Sequence, residues 1–145
     1  MSLLEKFVGV WSQEAIFPKG SPIPGDVKAT AEFAWTLGGA FLLERSEIDH
    51  PDAPDGLAII APNPDGGYTQ HYFDSRGVIR LYEMTFDGRL WTLTRAKPDF
   101  SPLDFKQRYT GTFSDNGRAI RGVWEICFDG ETWQKDFELN YTRID

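Results

Sequence analysis

The chain has 145 residues and a mass of 16.5 kDa, enough for one domain that buries roughly two thirds of its unfolded surface. Apolar residues make up 41% of the sequence and aromatic residues 14%, which excludes a disordered protein. The formal net charge of -7 provides no basic face for nucleic acid or for an anionic membrane, so neither partner is expected.

Cysteine usage and the first residues bear on location. The single cysteine, Cys127, has no partner for an internal disulfide. The opening residues lack the cationic start and long apolar run of a secretory signal. No stretch approaches the ~20 apolar residues of a membrane-spanning helix. A reducing, cytoplasmic location without membrane insertion is therefore expected.

The N-terminus predicts a short helix followed by strands. Ser2 is suited to cap a helix over residues 3–7, and Gly9 would end it. About ten short segments with strand-like alternation follow. They are Val10–Phe17, Val27–Leu37, Phe41–Asp49, Leu57–Pro62, Tyr68–Phe73, Val78–Phe86, Leu90–Arg95, Asp104–Phe113, Ala119–Phe128 and Glu131–Thr142.

Most connections between these segments are tight turns. Asp87-Gly88 and Asp129-Gly130 are typical two-residue hairpin turns, and residues 63–67 form a longer turn signal. Residues 18–25 and 50–56 are the longer, Pro-rich loops. Many short strands joined by hairpins predict a single all-β domain over residues 1–145, an antiparallel up-and-down barrel. A two-sheet sandwich is the alternative, but its crossovers need longer connections.

Alternation within the later strands predicts which side chains point inward. We expect the inward sets to be Val78, Arg80, Tyr82, Met84 and Phe86; Phe105, Gln107, Tyr109, Gly111 and Phe113; Ile120, Gly122, Trp124, Ile126 and Phe128; and Trp133, Lys135, Phe137, Leu139 and Tyr141. Arg121, Glu125 and Cys127 would then face outward. Phe33, Trp35 and Phe41 are expected in the wall or filling of the interior.

A family resemblance adds to this interpretation. Gly9-Val10-Trp11, after a short helix and at the start of the first strand, is similar to the Gly-x-Trp signature of calycins, the lipocalin and fatty-acid-binding-protein superfamily. Residues 72–77, 107–115, 122–125 and 141–143 resemble a bacterial family of lipocalin-like barrels of unknown function. The resemblance implies a barrel in which Trp11 lies across the closed end. It also implies that a basic residue, here Arg143, packs over the Trp11 ring by a cation-π contact.

The inward polar residues suggest what the interior binds. Arg80 and Tyr82 share one strand face, so a cation and a hydroxyl could grip one carboxylate. This pair resembles the carboxylate clamp of fatty-acid-binding proteins. The alternative is that Arg80 reaches water at a strand end while Tyr82 packs in the core. The candidate ligand-binding residues are Arg80, Tyr82, Gln107, Tyr109, Trp124, Trp133, Lys135, Phe33 and Trp35.

Haem and metal sites have little support in the sequence. His50 precedes Pro51 in an acidic loop, and His71 lies on the strand face opposite Tyr68, Gln70 and Tyr72. Nitrobindins, haem-binding barrels of the same superfamily, ligate iron through a C-terminal histidine, and residues 117–145 contain none. No metal or cofactor is expected, and haem bound through His71 is an alternative.

The expected function is binding of a small, largely apolar or acidic amphiphilic molecule inside the barrel. A lyase- or cyclase-type enzyme that acts on an enclosed acidic substrate is an alternative. Arg80, Tyr82 and Tyr109 with Glu44 or Glu47 would then supply the acid-base groups. An interaction module that uses the loops at 18–25 and 50–56 is a third class. No catalytic residue is assigned, and the sequence specifies neither the ligand nor an oligomeric state.

Overall fold

A computed structural model describes residues 2–20, 26–48, 51, 53–100 and 103–144. The predicted N-terminal helix is a 3-10 helix over Leu3–Phe7, and the Ser2 hydroxyl caps it by accepting a hydrogen bond from the Leu4 amide at 3.2 Å. A second 3-10 turn spans Leu37–Gly39. The strands are β1 (Gly9–Ile16), β2 (Asp26–Thr36), β3 (Phe41–Ile48), β4 (Gly56–Pro62), β5 (Tyr68–Asp74), β6 (Ile79–Phe86), β7 (Leu90–Arg95), β8 (Lys106–Phe113), β9 (Ala119–Cys127) and β10 (Gln134–Arg143).

The ten strands of the described chain form one closed antiparallel barrel. Each strand pairs with its neighbours in sequence, and β1 pairs with β10 to close the ring. The predicted up-and-down barrel is therefore confirmed, and the two-sheet sandwich was the wrong alternative. Each predicted strand end lies within three residues of the observed one, and both ends of β7 coincide. Asp49, predicted as the last residue of the third strand, lies outside the described residues.

Side chains alternate between the interior and the outer surface along each strand. In β6, Tyr82, Met84 and Phe86 are buried, whereas Ile79 on the other face is 39% exposed. This confirms the predicted inward face of β6. The predicted inward residues Gln107, Tyr109 and Phe113 of β8, and Ile120 of β9, are buried as well.

One end of the barrel is filled by large apolar side chains. Phe7, from the N-terminal helix, inserts into this end with its ring centroid 4.8–5.2 Å from those of Phe33, Phe86, Trp91 and Phe113. The remaining members of this packed end include Leu4, Trp11, Leu42, Ile60, Met84 and Ile120. The short helix therefore acts as the plug of the barrel.

Trp11 and Arg143 complete the closed end. The Trp11 side chain is fully buried, and its Nε1 donates to the Phe7 carbonyl at 2.8 Å. The Arg143 guanidinium lies 4.2 Å from the Trp11 ring centroid and donates to the carbonyls of Val8 and Lys6, each at 2.7 Å. The predicted packing of Arg143 over Trp11 is confirmed.

A β-bulge near the start of β10 changes which side chains point inward. Lys135 lies opposite Glu125 and Phe137 opposite Trp124, so Asp136 is an extra residue. Phe137, Leu139 and Tyr141 face the interior as predicted. Lys135 instead faces solvent and pairs with Glu138 at 3.2 Å, so its predicted inward position was wrong.

The predicted inward position of Trp133 was wrong because of the same bulge. It precedes β10 and packs against the outer surface, with the Arg108 guanidinium 4.1 Å from its ring centroid. Arg108 is itself paired on that surface with Glu125 at 2.8 Å. The expected inward position of Phe128 was also wrong, because its side chain is 63% exposed beyond the end of β9.

No helix among the described residues is long and apolar enough to cross a membrane.

Candidate functional site

The other half of the barrel encloses a cavity of about 400 Å³. Space for it is left because several inward residues of the first four strands are small in this half. These residues are Ala15, Ala29, Ser46, Gly56 and Ala58. On the same strands, the packed half carries Trp11, Phe33, Leu42 and Ile60. The cavity begins at the level of the barrel where these inward residues change from large to small.

Aromatic rings form the wall opposite the small residues. The Trp124 ring centroid lies 5.3 Å from that of Tyr109 and 5.5 Å from that of Tyr82. Tyr109 lies flat against Gly111 and Gly122, where added Cβ atoms would stand only 2.7 Å and 2.0 Å from its side chain. These two glycines let the ring lie across β8 and β9, and its hydroxyl donates to the Leu139 carbonyl at 2.9 Å.

A polar group that we call the Arg80 cluster (Arg80, Tyr82 and Gln107) lies in this wall. The Arg80 Nη1 and the Tyr82 hydroxyl both donate to the Gln107 Oε1, at 3.2 Å and 3.4 Å. The guanidinium also lies 5.7 Å from the ring centroid of Phe105. Two donors, one of them cationic, therefore converge on one acceptor position at the cavity surface.

A second polar group, the Glu44 cluster (Glu44, Tyr141 and Gln13), lies where the cavity meets the packed half. Gln13 Nε2 donates to the Tyr141 hydroxyl at 3.0 Å, and that hydroxyl donates to Glu44 Oε2 at 3.2 Å. Burial raises the pKa of Glu44 from its usual 4.5 to about 7, although the Tyr141 hydrogen bond acts in the opposite direction. The Glu44 carboxyl can therefore hold or release a proton near neutral pH.

The cavity has further titratable groups at its mouth. Tyr72 donates to Asp74 Oδ2 at 2.9 Å, and Arg76 pairs with the same carboxylate at 2.6 Å. Asp136, the extra residue of the bulge, also lines the cavity, and burial raises the pKa of its carboxyl. These polar side chains lie beside apolar ones, since Phe17, Ala53 and Pro54 also line the cavity.

The structure brings five of the predicted ligand-binding residues to one cavity. They are Arg80, Tyr82, Gln107, Tyr109 and Trp124. Phe33 is buried in the packed half and Trp35 packs against that core, where its Nε1 donates to Glu5 at 2.5 Å. Trp133 and Lys135 lie on the outside because of the bulge. Phe41, expected in the wall, lies opposite Thr36 in register, on the outer face of β3.

His71 is the histidine that lies within the described residues, and it is not part of this cavity. His71 is half-buried and does not line the cavity, whereas its neighbours Gln70 and Tyr72 do. His50 lies outside the described residues. Among the residues that the structure describes, no three His, Cys, Asp or Glu side chains are grouped so that they could hold a metal ion. The geometry of the cavity gives no support to haem bound through His71.

Sequence reasoning did not assign Gln13, Tyr141 and Glu44 to one site. Glu44 was named only as one of two candidate acids, and Tyr141 only as an inward aromatic residue. In β3 the set Phe41, Leu43 and Arg45 has two apolar residues and the set Leu42, Glu44 and Ser46 has one, so alternation favoured the face with Phe41, whereas Leu42 and Glu44 are the buried residues. The contact between Tyr141 and Glu44 joins β10 to β3 across the barrel, and no pattern within one strand predicts it.

Comparison of the chain with protein-family models finds no match, and comparison with curated proteins finds none either.

Proposed function

We propose that this barrel binds a small, largely apolar molecule with an acidic group inside the cavity. The observation that carries the proposal is the Arg80 cluster, which opens onto an enclosed space of about 400 Å³ lined mainly by apolar and aromatic side chains. Cavities of this size with a few convergent polar groups are typical of small-molecule sites.

The preference for an acid rests on the donors of the Arg80 cluster. Arg80 has no ion pair with a carboxylate among the described residues, and its guanidinium donates to a neutral amide oxygen instead. A ligand carboxylate could accept from Arg80 and Tyr82 in place of Gln107. A carboxylate would add a charge opposite to that of the guanidinium and could accept two parallel bonds from it, which a neutral amide oxygen does not offer.

We also propose that the protein is a member of the calycin superfamily and that it is cytoplasmic. The first is supported by Gly9-Val10-Trp11 at the start of β1 and by the Arg143 contact with the Trp11 ring. The second is supported by Cys127, which is a free and buried thiol.

The test compares an acid with its neutral ester. Nile red would report occupancy of the cavity, and decanoic acid and methyl decanoate would compete for it. We expect Arg80→Ala to weaken decanoic acid by about ten- to a hundredfold, because a charged hydrogen bond contributes roughly 1.5–3 kcal/mol. The affinity for methyl decanoate should change little.

Arg108→Ala is the matched control, since this arginine pairs with Glu125 on the outer surface. It should leave both affinities unchanged. Equal weakening of acid and ester by Arg80→Ala would show that Arg80 is only part of the wall. If Nile red does not enter at all, the proposal of an internal ligand is wrong.

A second candidate is proton-transfer catalysis on an enclosed substrate, and the raised pKa of Glu44 beside Tyr141 favours it. Native mass spectrometry of freshly purified wild-type and Glu44→Gln protein separates the two functions. A binding protein would carry the same adduct mass in both forms. An enzyme would carry substrate in the variant and product, or nothing, in the wild type.

A further inference from the structure

The Glu44 cluster leaves two acceptor atoms unused. Because the Tyr141 hydroxyl donates its single proton to Glu44 Oε2, Gln13 must be the donor in its own bond with that hydroxyl. The other oxygen of each side chain, Glu44 Oε1 and Gln13 Oε1, accepts no hydrogen bond from the described residues. Both bonds end on the same hydroxyl oxygen, so the carboxyl and the amide are neighbours.

Both free oxygens are open to the cavity. Glu44 and Gln13 line it, and they remain 9% and 7% exposed although they point into the barrel. The fully enclosed side-chain atoms without a partner in the described structure are Gln70 Oε1 and Trp91 Nε1, and the two free oxygens are not among them. A group inside the cavity can therefore reach these acceptors.

Glu44 and Arg80 are the two ends of one row of inward residues. In the antiparallel register the row runs from Glu44 to Ala58, and from there through Tyr72 to Arg80. Neighbouring strands are about 4.8 Å apart, so the two Cα atoms are roughly 14 Å apart along the cavity wall. Within the described chain, no salt bridge joins the carboxyl and the guanidinium.

Each end of this row lacks a partner of opposite charge among the residues that the structure describes. The Arg80 guanidinium donates to the neutral Gln107 amide, and the Glu44 carboxyl accepts from the neutral Tyr141 hydroxyl. Enclosed charges are stable when they are paired and hydrogen-bonded. A ligand with a carboxylate at one end and an ammonium at the other would supply both partners. An ammonium fits beside Glu44 because it only donates, and the free oxygens there only accept.

We propose that Glu44 and Gln13 form an ammonium-binding subsite, so that the ligand is an amphiphile with a carboxylate at Arg80 and a protonated amine several carbon atoms away. This inference rests on the proposed binding function and specifies the class of ligand. An ammonium that entered the cavity without partners would lose its hydration and weaken binding severely. The sign of the effect of an added amine therefore tests the subsite.

The experiment compares ω-amino acids with their parent fatty acids as competitors for Nile red. Chains of six, eight, ten and twelve carbons are used at pH 8, where Glu44, whose pKa is about 7, is ionised. We expect the ω-amino acid of the best-fitting length to bind at least about tenfold more tightly than its parent. Dicarboxylic acids of the same length should bind more weakly than the parent, because their second carboxylate would meet the carboxylate of Glu44.

Variants locate the effect. Glu44→Gln should lower the affinity for the ω-amino acid by about ten- to a hundredfold, while the affinity for the parent acid stays the same or rises. Gln13→Met, which removes the second acceptor, should lower it by a smaller factor. Glu32→Gln, the same substitution at an exposed position of β2, is the matched control and should change neither affinity.

Proton release gives a second readout in the wild-type protein. At pH 6 Glu44 still holds its proton, and an ammonium that pairs with the carboxylate would displace about one proton per ligand bound. Calorimetry in two buffers with different ionisation enthalpies measures this number. Tyr109 and Tyr141, which interact electrostatically with Glu44, have raised pKa values and stay protonated. The parent acid should release no proton, and Glu44→Gln should abolish the release.

The remaining outcomes separate this subsite from the proposed binding function. If the parent acids bind through Arg80 but no ω-amino acid binds more tightly, or if Glu44→Gln leaves the gain intact, the ammonium subsite is wrong and the binding function stands. If acids bind no better than their methyl esters, the acid preference fails, and the same amine comparison on the esters decides the subsite. If no competitor displaces Nile red, or Nile red does not enter, both proposals are wrong.

Discussion

Glu44 is a carboxyl group buried inside the barrel, and its hydrogen-bond donor is the Tyr141 hydroxyl. Among the described residues, no lysine or arginine forms an ion pair with it. Burial without a cation disfavours the ionised form, which explains the rise of its pKa to about 7. Nearby Tyr109 and Tyr141 also have raised pKa values, mainly because of burial, so both phenols stay protonated when Glu44 ionises.

The raised pKa of Glu44 predicts a loss of stability as pH rises. Below about pH 4.5 the carboxyl is protonated in both the folded and the unfolded chain. Between pH 4.5 and 7 the unfolded chain releases the proton while the folded protein retains it, so the free energy of unfolding falls with pH. The loss amounts to at most about 3 kcal/mol and is complete above pH 7.

Urea denaturation of wild type and Glu44→Gln across this range measures the effect. The difference in free energy of unfolding between the two proteins should change by a few kcal/mol, in favour of the variant at high pH. A constant difference from pH 4 to pH 8 would mean that Glu44 titrates normally. The comparison with the variant cancels other groups, such as Asp136, whose pKa is also raised.

At the scale of elements, the pair β8 and β9 shows how a missing side chain positions a ring. Gly111 and Gly122 are direct partners in the antiparallel register. Neither has the left-handed backbone that only glycine adopts readily, so the requirement at both positions is space. Because neither glycine has a side chain, the Tyr109 ring can lie against the sheet, where it forms part of the cavity wall.

Gly122→Ala should therefore destabilise the protein by about 1–3 kcal/mol or more, because the new methyl would stand within 2.0 Å of the Tyr109 hydroxyl oxygen. Urea denaturation gives the value. The same substitution in a Tyr109→Ala background should cost much less, since the ring that clashes is gone. An equal cost in both backgrounds would mean that the loss of stability has another cause, for instance a change in the hydrogen bond that the Gly122 N–H donates to Asn140 Oδ1.

The strands also show which features of the fold are predictable from sequence. Strong apolar alternation and tight turns, such as Asp87-Gly88, specify a hairpin and its inward face, and the prediction for β6 was correct. The bulge at Asp136 was not predictable in this way. Trp133, Lys135 and Phe137 follow a perfect period of two, whereas the backbone inserts one residue and reverses the orientation of the first two.

The candidate site was predictable only where one strand carries its own signal. Arg80 with Tyr82, and Gln107 with Tyr109, each lie on one face of one strand, so alternation placed them together. Gln13, Glu44 and Tyr141 come from three strands, and only closure of the barrel brings them into contact. The cavity itself depends on residues such as Ala29 and Ala58, whose small size has no distinctive pattern.

At the scale of the whole molecule, the closed end joins both termini of the described chain. Trp11 in β1 and Arg143 in β10 are direct partners in register, and both also bond to the plug helix or to the segment that follows it. Closure of the ring and insertion of the plug therefore depend on the same two residues.

Trp11→Ala should cost about 3–5 kcal/mol of stability, as large-to-small substitutions in cores do. The urea midpoint by circular dichroism measures it. Trp133→Ala, on the outer surface, is the matched control and should cost much less. Full stability of the Trp11 variant combined with loss of Nile red binding would instead make Trp11 a ligand-binding residue.

The change from large to small inward residues along β1–β4 has a consequence for how this protein can evolve. Folding depends chiefly on the packed half, around Phe7 and Trp11, while selectivity would depend on Ala15, Ala29, Ser46 and Ala58 at the other end of the same strands. Substitutions in the second group can alter the shape of the binding space without removing contacts from the first. A new ligand preference could thus arise with little loss of stability, because folding and ligand selectivity depend on different residues.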